Sequence, residues 1–493
     1  MSAPLTKLLG QTAMYGLPSI VGRLLNYLLV PLYTAIFANP ADYGVLSDLY
    51  AYVAFLIVLL PLGMETAYFR FIQQHEDPDR VFNSSFIPVV FVNAAFFLIL
   101  YTTNPWIAKW MLYREHTEYI ILIGSIVCID AIASLPLAKL RAENRAKRFV
   151  IIQTSSILLN ILLNLIFLLA YFHPSRPEEG ILFILIANLL ASGLKLVLVY
   201  DIISRVKLML DWVLIKQMLL YSWPLVIAGF AGIINETLDR VLLKQILYNP
   251  DIPNSLEQAT AQVGIYSACY KLAMLVTIFL QAYRYAAEPF FFAQLKNQDR
   301  NVVFVRTMNV FIALVCLAFL FVSINLGVFK LFIRKEAYYV GLSVVPILLL
   351  ANVCLGIYYN QSVWYKLSNQ TKFGAYIALI GAGITILVNV LFIPMYGYMA
   401  SAWATLLAYM AQMIISFYLG KKYYPIPYDV RKFYVYIGGA IGIYCLFSLL
   451  RMWMNVPLKG FNGLLLLLGN LMILGFIYLV YRNERALFRV KKP

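Results

Sequence analysis

Four charged residues occupy one stripe of an otherwise apolar segment near the middle of the chain. The segment IINETLDRVLLKQIL, residues 233–247, carries Glu236, Asp239, Arg240 and Lys244. Residues three and four positions apart are neighbours on an α-helix, so these two acids and two bases share one face. They can form ion pairs along the helix. What those pairs do depends on the solvent that surrounds the helix.

The composition predicts that this solvent is a lipid bilayer. The chain has 493 residues, of which 62% are hydrophobic and only 13% are charged, and its mean hydropathy is +0.78. Soluble domains are about half apolar and about one quarter charged, so the chain is predicted to be a polytopic membrane protein. The net charge of +16 falls mostly in short loops, which is typical of orientation signals and not of nucleic-acid binding.

Fourteen apolar segments are long enough to cross a bilayer as helices. A span needs about 20 mostly apolar residues. Pro18 and Pro224 lie inside two of the spans and predict kinks there. The predicted spans are 9–37, 42–72, 83–103, 117–139, 148–172, 180–203, 217–247, 259–291, 303–331, 338–365, 373–394, 398–420, 433–454 and 460–481.

The distribution of basic residues predicts the orientation. With both termini in the cytoplasm, 25 of the 39 lysines and arginines lie in or beside inside segments and only 8 lie in outside loops. Basic residues concentrate on the cytoplasmic side of membrane proteins. We therefore expect a multi-pass protein of a bacterial cytoplasmic (inner) membrane with both ends inside.

In such a membrane the charged stripe has two interpretations. A charge near the bilayer centre costs at least about 2.5–3.5 kcal/mol on insertion scales, so intramembrane charges are functional hypotheses. Glu236 and Arg240 are predicted to pair at i,i+4, with Asp239 alongside, in a cluster that exchanges partners between two states and so gates a rocking transporter. The alternative is that the helix extends beyond the membrane and its charges are solvated.

The two halves of the chain carry related motifs, which predicts an internal repeat. YGLP at 15–18 corresponds to YSWP at 221–224. YGVLSDLY at 43–50 corresponds to VGIYSACY at 263–270, which aligns Gly44, Ser47 and Tyr50 with Gly264, Ser267 and Tyr270. Equivalent spans run in the same direction, as in transporters built from two parallel repeats. The predicted division is 1–206 for the first six-helix lobe, 207–425 for the second, and 426–493 for the last two helices and a basic tail.

Three segments resemble a known family. Tyr15-x-x-Pro18, ANPADYGVLSDLY at 38–50 and NETLDRVLL at 235–243 are similar to segments of the polysaccharide transporter family, the Wzx-type flippases of the multidrug/oligosaccharidyl-lipid/polysaccharide exporter superfamily. The resemblance covers nearly the whole chain in span number and layout. It implies an all-α fold of two six-helix lobes arranged as an inverted V around a central cavity, plus two C-terminal helices.

The resemblance also implies a substrate. Members of this family move undecaprenyl-pyrophosphate-linked oligosaccharides from the cytoplasmic to the outer leaflet by alternating access, and the glycan is a repeat unit of O-antigen, capsule or exopolysaccharide. The expected partners are this lipid-linked glycan, the membrane lipids and glycan polymerase machinery, with no nucleic acid. The pyrophosphate requires cations, and the glycan requires a polar cavity lined by groups such as tyrosines.

Five residues are candidates for substrate binding. Arg23 stands among apolar residues one turn after Pro18, and its guanidinium fork suits phosphate oxygens. Arg284 has Glu288 one turn away, which predicts a local ion pair, whereas Lys195 is expected to extend to the membrane surface. The candidates are Arg23, Lys271, Arg240, Arg284 and Tyr270.

Acidic residues are the candidates for gating or for binding a coupling ion, which would be a proton or Na⁺. Asp130 lies in mid-span in IVCIDAIASLP with no basic residue within eight positions, and an unpaired buried carboxylate suits a coupling site. The candidates are Glu236, Asp239, Asp130, Asp48 and Glu65. We predict no catalytic residue, no metal site, no bound cofactor and no enzyme activity.

Other function classes remain open from the sequence. A multidrug exporter of the same superfamily would share the fold, but cationic drugs favour an acidic cavity and the unpaired charges here are mostly basic. A membrane glycan polymerase or ligase would need a large outer loop with catalytic residues. A scaffold without transport activity is the third alternative.

Overall fold

A computed structural model describes residues 22, 24–207, 210–294, 298–368 and 370–484. The chain divides into two compact units, Met1–Gly264 and Ile265–Pro493. Each unit is a bundle of helices, and the described residues contain no strand. The predicted all-α class is therefore confirmed, while the division into lobes 1–206 and 207–425 stays a prediction.

The first unit contains a short helix followed by long ones. They are α1 (Val30–Ile36), α2 (Pro40–Leu59), α3 (Met64–Phe71), α4 (Pro78–Trp110), α5 (Thr117–Ala142), α6 (Ala146–Ile166), α7 (Pro177–Leu198), α8 (Tyr200–Ile203) and α9 (Trp212–Leu247), and the unit ends within α10 (Ser255–Ala293). A π-helical turn at Phe167–Tyr171 continues α6.

The second unit contains the rest of α10 and the following helices. They are α11 (Arg300–Ile324), α12 (Leu326–Phe329), α13 (Val344–Gln361), α14 (Val363–Leu367), α15 (Lys372–Tyr396), α16 (Tyr398–Tyr423), α17 (Val430–Phe433), α18 (Gly439–Trp453) and α19 (Gly463–Asn483). Short 3₁₀ helices at Lys330–Phe332 and Glu336–Ser343 precede α13, and a π-helical turn at Tyr434–Gly438 joins α17 to α18.

Polar caps start three of the long helices in the first unit. Asn39 accepts a hydrogen bond from the Ala41 amide and precedes Pro40, while Asp77 accepts from two amides at the start of α4. Asp211 accepts from the Leu214 amide at the start of α9. Side-chain oxygens at these positions satisfy amides that have no partner inside the helix, and proline at the first helical position loses nothing by lacking an amide.

Thirteen helical spans in the described residues are long and apolar enough to cross a membrane. They correspond to the second to fourteenth predicted spans. The first predicted span, 9–37, is described only in its last part, where Leu24–Ile36 is a shorter apolar helix, so the count of fourteen is not confirmed. Pro18 lies outside the described residues, whereas Pro224 lies inside the continuous helix α9.

Two glycines that the repeat aligns meet at one crossing of α2 and the first turns of α10. A Cβ on Gly44 would overlap the carbonyl of Thr260, and a Cβ on Gly264 would overlap the carbonyl of Pro40. The contact is reciprocal, because Pro40 and Thr260 are also aligned by the repeat. Only glycine allows two helix backbones to approach this closely, which is why small residues occupy tight crossings in membranes.

Candidate functional site

Asp48 and Lys244 form a fully buried ion pair in the first unit. Asp48 lies on α2, Lys244 lies near the end of α9, and Lys244 Nζ donates a hydrogen bond to Asp48 Oδ2. Both side chains are 0% exposed. Taking two charges out of water costs several kcal/mol per ion, and only close pairing with further hydrogen bonds offsets this cost. The pair therefore holds α2 and α9 together through one specific contact.

The chain segment after α4 supplies the remaining contacts of this pair. The Tyr113 hydroxyl donates to Asp48 Oδ2 at 2.7 Å, and Lys244 Nζ also donates to the Met111 carbonyl at 2.8 Å. The same Nζ lies 3.9 Å from the centroid of the Tyr113 ring, close enough for a cation–π interaction. We call Asp48, Lys244, Tyr113 and the Met111 carbonyl the buried charge cluster.

The end of α4 positions Tyr113. The Tyr113 amide donates to the Ala108 carbonyl at 2.7 Å and the Leu112 amide donates to the Lys109 carbonyl at 3.2 Å, which is the hydrogen-bond pattern of a Schellman motif. Leu112 stands at the left-handed position with φ 63°, where glycine is usual. A leucine there costs about 1–2 kcal/mol. The turn tolerates this strain and directs both the Met111 carbonyl and the Tyr113 side chain to Lys244.

One oxygen of the buried charge cluster remains without a donor. In the part of the chain that is described, Asp48 Oδ1 is buried and has no hydrogen-bond partner. An unsatisfied carboxylate oxygen in a low-dielectric site favours any change that supplies a proton or a cation. The sequence predicts Asp48 as a gating candidate but gives no indication of Tyr113.

Arg240 pairs with Asp239 and not with the Glu236 carboxylate. Arg240 Nη1 donates to Asp239 Oδ1 at 3.1 Å and to the Glu236 main-chain carbonyl at 2.7 Å. Within the described residues the Glu236 carboxylate forms no ion pair. The predicted i,i+4 salt bridge is therefore wrong, because the guanidinium turns back to a backbone carbonyl one turn earlier and meets the adjacent carboxylate.

The interpretation of the stripe as solvated is also wrong for three of its charges. Asp239, Arg240 and Lys244 are buried within the protein, and only Glu236 is partly exposed. The helix α9 is long, but its last turns pack against neighbouring helices of the first unit. A role of these residues in gating stays a prediction.

Asp130 has a basic partner that the local sequence did not reveal. Lys195 Nζ donates to Asp130 Oδ1 at 2.8 Å, and about one fifth of each side chain is exposed. The prediction of an unpaired Asp130 carboxylate is therefore wrong, because its partner lies 65 positions away on a different helix. The extension of Lys195 towards the membrane surface stays a prediction. Glu65 is likewise paired, since Arg141 Nη2 donates to it at 2.5 Å.

The second unit contains three of the predicted substrate-binding residues. Arg284 is exposed, and its guanidinium lies 5.2 Å from the centroid of the Tyr359 ring. Lys271 is half-buried, and Tyr270 is buried with its ring 6.0 Å from that of Tyr266. The predicted ion pair of Arg284 with Glu288 stays a prediction, because the Glu288 side chain is not among those that the structure describes.

Arg23, the favoured phosphate ligand, also lies outside the described residues. Its role as a phosphate ligand therefore stays a prediction. Among the residues that are described, no group of three His, Cys, Asp or Glu side chains could hold a metal ion.

Comparison with known proteins identifies the family and the fold. Residues 8–295 match the family described as "Polysaccharide biosynthesis protein", and this match covers more than half of the chain. No curated protein matches the chain in sequence.

Solved structures with the same fold are membrane transporters. The chain is similar to "Lipid II flippase MurJ, inward closed conformation", with a TM-score of 0.72 and 13% identity over 95% of this chain and 99% of that one. It is also similar to an inward-facing "multidrug resistance MATE family transporter of the MOP superfamily", with a TM-score of 0.63 and 14% identity over 83% of this chain and 94% of that one. These identities establish the fold alone. The family match, the apolar helices and this shared fold together establish that the chain is a multi-pass membrane protein of the polysaccharide biosynthesis family.

Proposed function

We propose that this protein is a flippase that moves an undecaprenyl-pyrophosphate-linked oligosaccharide from the cytoplasmic to the outer leaflet of a bacterial inner membrane. The glycan would be a repeat unit of O-antigen, capsule or exopolysaccharide. The observation that carries the proposal is the buried charge cluster inside a fold shared with a lipid II flippase. Family membership in polysaccharide biosynthesis supports the glycan as cargo.

The physical problem of this transport explains why charges lie inside the membrane. A pyrophosphate and a glycan cannot cross a hydrocarbon slab of about 30 Å without polar partners, because each unsatisfied polar group costs several kcal/mol there. The exposed guanidinium of Arg284 and the half-buried Lys271 supply positive charge, and Arg23 adds the bidentate fork that phosphate oxygens favour. Arg240 and Tyr270 complete the predicted set.

We assign the coupling role to Asp48 instead of Asp130. Asp130 forms an ion pair with the partly exposed Lys195. Asp48, in contrast, has an oxygen without a donor among the described residues and pairs with a lysine that has no exposed surface. A proton on Asp48 removes the attraction that offsets the burial of Lys244. Burial of the charged Lys244 then costs free energy that no partner offsets, and a movement of α2 relative to α9 removes this cost.

The proposed orientation places both termini in the cytoplasm. The excess of lysine and arginine in the inside segments supports this topology. Membrane lipids and glycan polymerase machinery are the proposed partners, and no enzyme activity or bound cofactor is proposed.

The test is complementation of a strain that lacks its own flippase, with surface glycan as the readout and membrane protein quantified in parallel. Wild type should restore surface glycan. Arg23→Ala and the double variant Asp48→Leu/Lys244→Met should abolish it at normal protein levels, and Arg23→Lys should keep only part of the activity because lysine lacks the fork. Arg451→Ala, at the opposite end of the chain from these residues, is the control and should keep full activity.

The multidrug-exporter alternative predicts a different outcome. Efflux of organic cations by the expressing strain, without restored surface glycan, would overturn the glycan assignment. A response of transport to a pH gradient but not to a Na⁺ gradient in vesicles would identify the proton as the coupling ion, and a response to neither would remove the coupling role of Asp48.

A further inference from the structure

A cavity of about 460 Å³ is lined by residues of the second unit, and none of them belongs to the buried charge cluster. Its wall comes from the start of α11, the junction of α13 and α14, the last turns of α16 and the linker 424–429. The volume falls within the range of roughly 300–1,000 Å³ that is usual for small-molecule sites. None of the roles assigned above uses this cavity.

Two buried polar groups on the cavity wall have no protein partner. The side chain of Gln361 is 1% exposed, and its Oε1 accepts no hydrogen bond from the residues that the structure describes. The hydroxyl of Tyr424 is buried and unpaired in the same way. Buried polar groups are nearly always hydrogen-bonded, and those that are not call for a ligand or water. Gln361 and Tyr424 both belong to the residues that line the cavity.

The aromatic part of the wall is rigid. The Trp364 indole Nε1 donates to Ser416 Oγ at 3.2 Å, and the ring packs edge-on against Tyr365 and near Phe373. Gly420 lies against the indole, where a Cβ would come within 3.0 Å of the ring. Trp364 is 2% exposed, so the part of the wall that it forms is held in place before a ligand enters, and little conformational entropy is lost on binding.

The chemistry of the wall selects the ligand class. Gln361 Oε1 needs a hydrogen-bond donor, which an ionised phosphate lacks, and Lys421 is the one cation among the described lining residues. The buried amide and hydroxyl would remain unsatisfied beside a fatty chain. The ligand that fits is a ring with hydroxyl or amide donors on its edge and C–H groups on its faces.

We propose that this cavity binds a sugar ring of the glycan, with Gln361 and Tyr424 as its hydrogen-bonding partners and Trp364 and Tyr428 as its apolar walls. The claim that the sugar belongs to the transported glycan rests on the proposed function, whereas the claim that the cavity binds a sugar ring does not. Lys421 at the cavity adds a donor for a hydroxyl or for the carboxylate of an acidic sugar.

The test uses the full-length protein purified in detergent and saturation-transfer NMR. The probes are N-acetylglucosamine, glucose, galactose and mannose, with glycerol as a hydroxyl compound that lacks a ring. A neutral ligand of this size should bind with a Kd of about 1 mM, given the usual binding energy per atom. At least one of the four sugars should receive saturation on its ring protons, and glycerol should not.

Matched variants assign the binding to the cavity. Gln361→Met should weaken binding about tenfold, since one or two hydrogen bonds are lost, and Tyr424→Phe should weaken it about fivefold. Gln412→Met removes another buried glutamine of the second unit, one that does not line the cavity, and should leave binding unchanged. Because Gln361 Oε1 accepts no hydrogen bond from the described residues, Gln361→Met should keep or raise the thermal midpoint. A purely structural glutamine would lower it.

Three outcomes would overturn the inference. One is the absence of saturation transfer to all four sugars at tens of millimolar in wild type. The second is equal binding to wild type, Gln361→Met and Tyr424→Phe. The third is binding of glycerol as strong as that of the sugars, which would identify a cavity for any hydroxyl compound. Sugar binding by a protein that fails to restore surface glycan would contradict the proposed function and leave this inference standing.

Discussion

Lys244 donates to Asp48 across 196 positions of the chain, and neither side chain has any exposed surface. Tyr113 and the Met111 carbonyl complete the polar contacts of the pair, yet Asp48 Oδ1 keeps no partner in the described structure. A charge pair so deeply buried is a weak source of stability but a sensitive switch, because either charge becomes costly as soon as the other is neutralised. This property underlies the first prediction.

Removal of one member of the pair should harm the fold more than removal of both. Asp48→Leu or Lys244→Met alone should lower the free energy of unfolding by about 3–5 kcal/mol, because an uncompensated charge stays buried, whereas the double variant Asp48→Leu/Lys244→Met should be nearly neutral. Denaturant unfolding of the purified protein measures this cycle. Arg80→Ala, which breaks a largely exposed pair with Asp211, is the control and should cost less than about 1 kcal/mol. Additive single effects would mean that Asp48 and Lys244 are not coupled.

Exchanging the charges of Asp130 and Lys195 should show whether Asp130 serves as a structural partner of Lys195 or as a site for a coupling ion. Asp130→Asn should lower stability by about 1–3 kcal/mol, since a hydrogen bond to a charged group is lost. The swap Asp130→Lys/Lys195→Asp should recover most of this loss and keep transport, because the 2.8 Å contact can form in either direction. A swapped protein that is stable but unable to transport would restore Asp130 as a coupling residue.

The acids beside Arg240 should differ in their importance. Glu236→Gln should change stability by less than about 0.5 kcal/mol, because the contact of Arg240 is with the Glu236 backbone carbonyl, which the substitution keeps. Asp239→Asn should cost about 3 kcal/mol, because Arg240 is buried and loses its charged partner. Thermal unfolding of the two variants in the same detergent measures the contrast. Equal effects would point to a Glu236–Arg240 contact after all.

The glycine crossing should tolerate no side chain. Gly44→Ala and Gly264→Ala should each cost about 3 kcal/mol or more, since each new Cβ would overlap a backbone carbonyl that cannot move independently. Gly232→Ala is the control on a helix of the same unit, where a Cβ meets nothing within 4 Å. It should raise stability by about 0.5–1 kcal/mol because alanine loses less conformational freedom. Well-folded Gly44→Ala protein would show that the two helices can separate.

Asp211 should make stability dependent on pH in the acid range. The hydrogen bonds from the Leu214 amide and then from Arg80 hold the pKa of the Asp211 carboxyl below its ordinary value of 3.8. The folded state therefore binds the proton less readily than the unfolded state, so the contribution of Asp211 is present above the ordinary pKa and is lost as the pH falls through the folded value. The difference in unfolding free energy between wild type and Asp211→Ala should be full at pH 7 and should shrink as the pH falls below the ordinary value of 3.8. A difference that persists unchanged at low pH would contradict this assignment.

Local features of the sequence were sufficient for the helical architecture. Long apolar runs predicted thirteen of the spans close to where they lie, because a helix in lipid must satisfy its backbone internally and needs a fixed length. The starts of α2, α4 and α9 follow from Asn39, Asp77 and Asp211, whose side chains bond amides only two or three positions away. The alignment of Gly44 with Gly264 also pointed to two positions that share one crossing.

The ion-pair partners of the charged side chains did not follow from the local sequence. The local rule paired Glu236 with Arg240 and left Asp130 alone, whereas the folded chain pairs Arg240 with Asp239 and Asp130 with Lys195. The partner of Lys244 lies 196 positions away. The orphaned amide of Gln361 becomes visible only once the surrounding helices define a cavity.

Hydrophobic length and charge depletion are properties of each segment alone, so the order of amino acids is sufficient to predict a bundle of membrane-spanning helices with few charges inside it. The packing of the helices was needed to show which charges neutralise one another and which polar groups of the described residues keep no partner. Electrostatic and hydrogen-bond energies in a low-dielectric interior depend on distances of a few ångströms between helices, and no spacing along the chain encodes those distances.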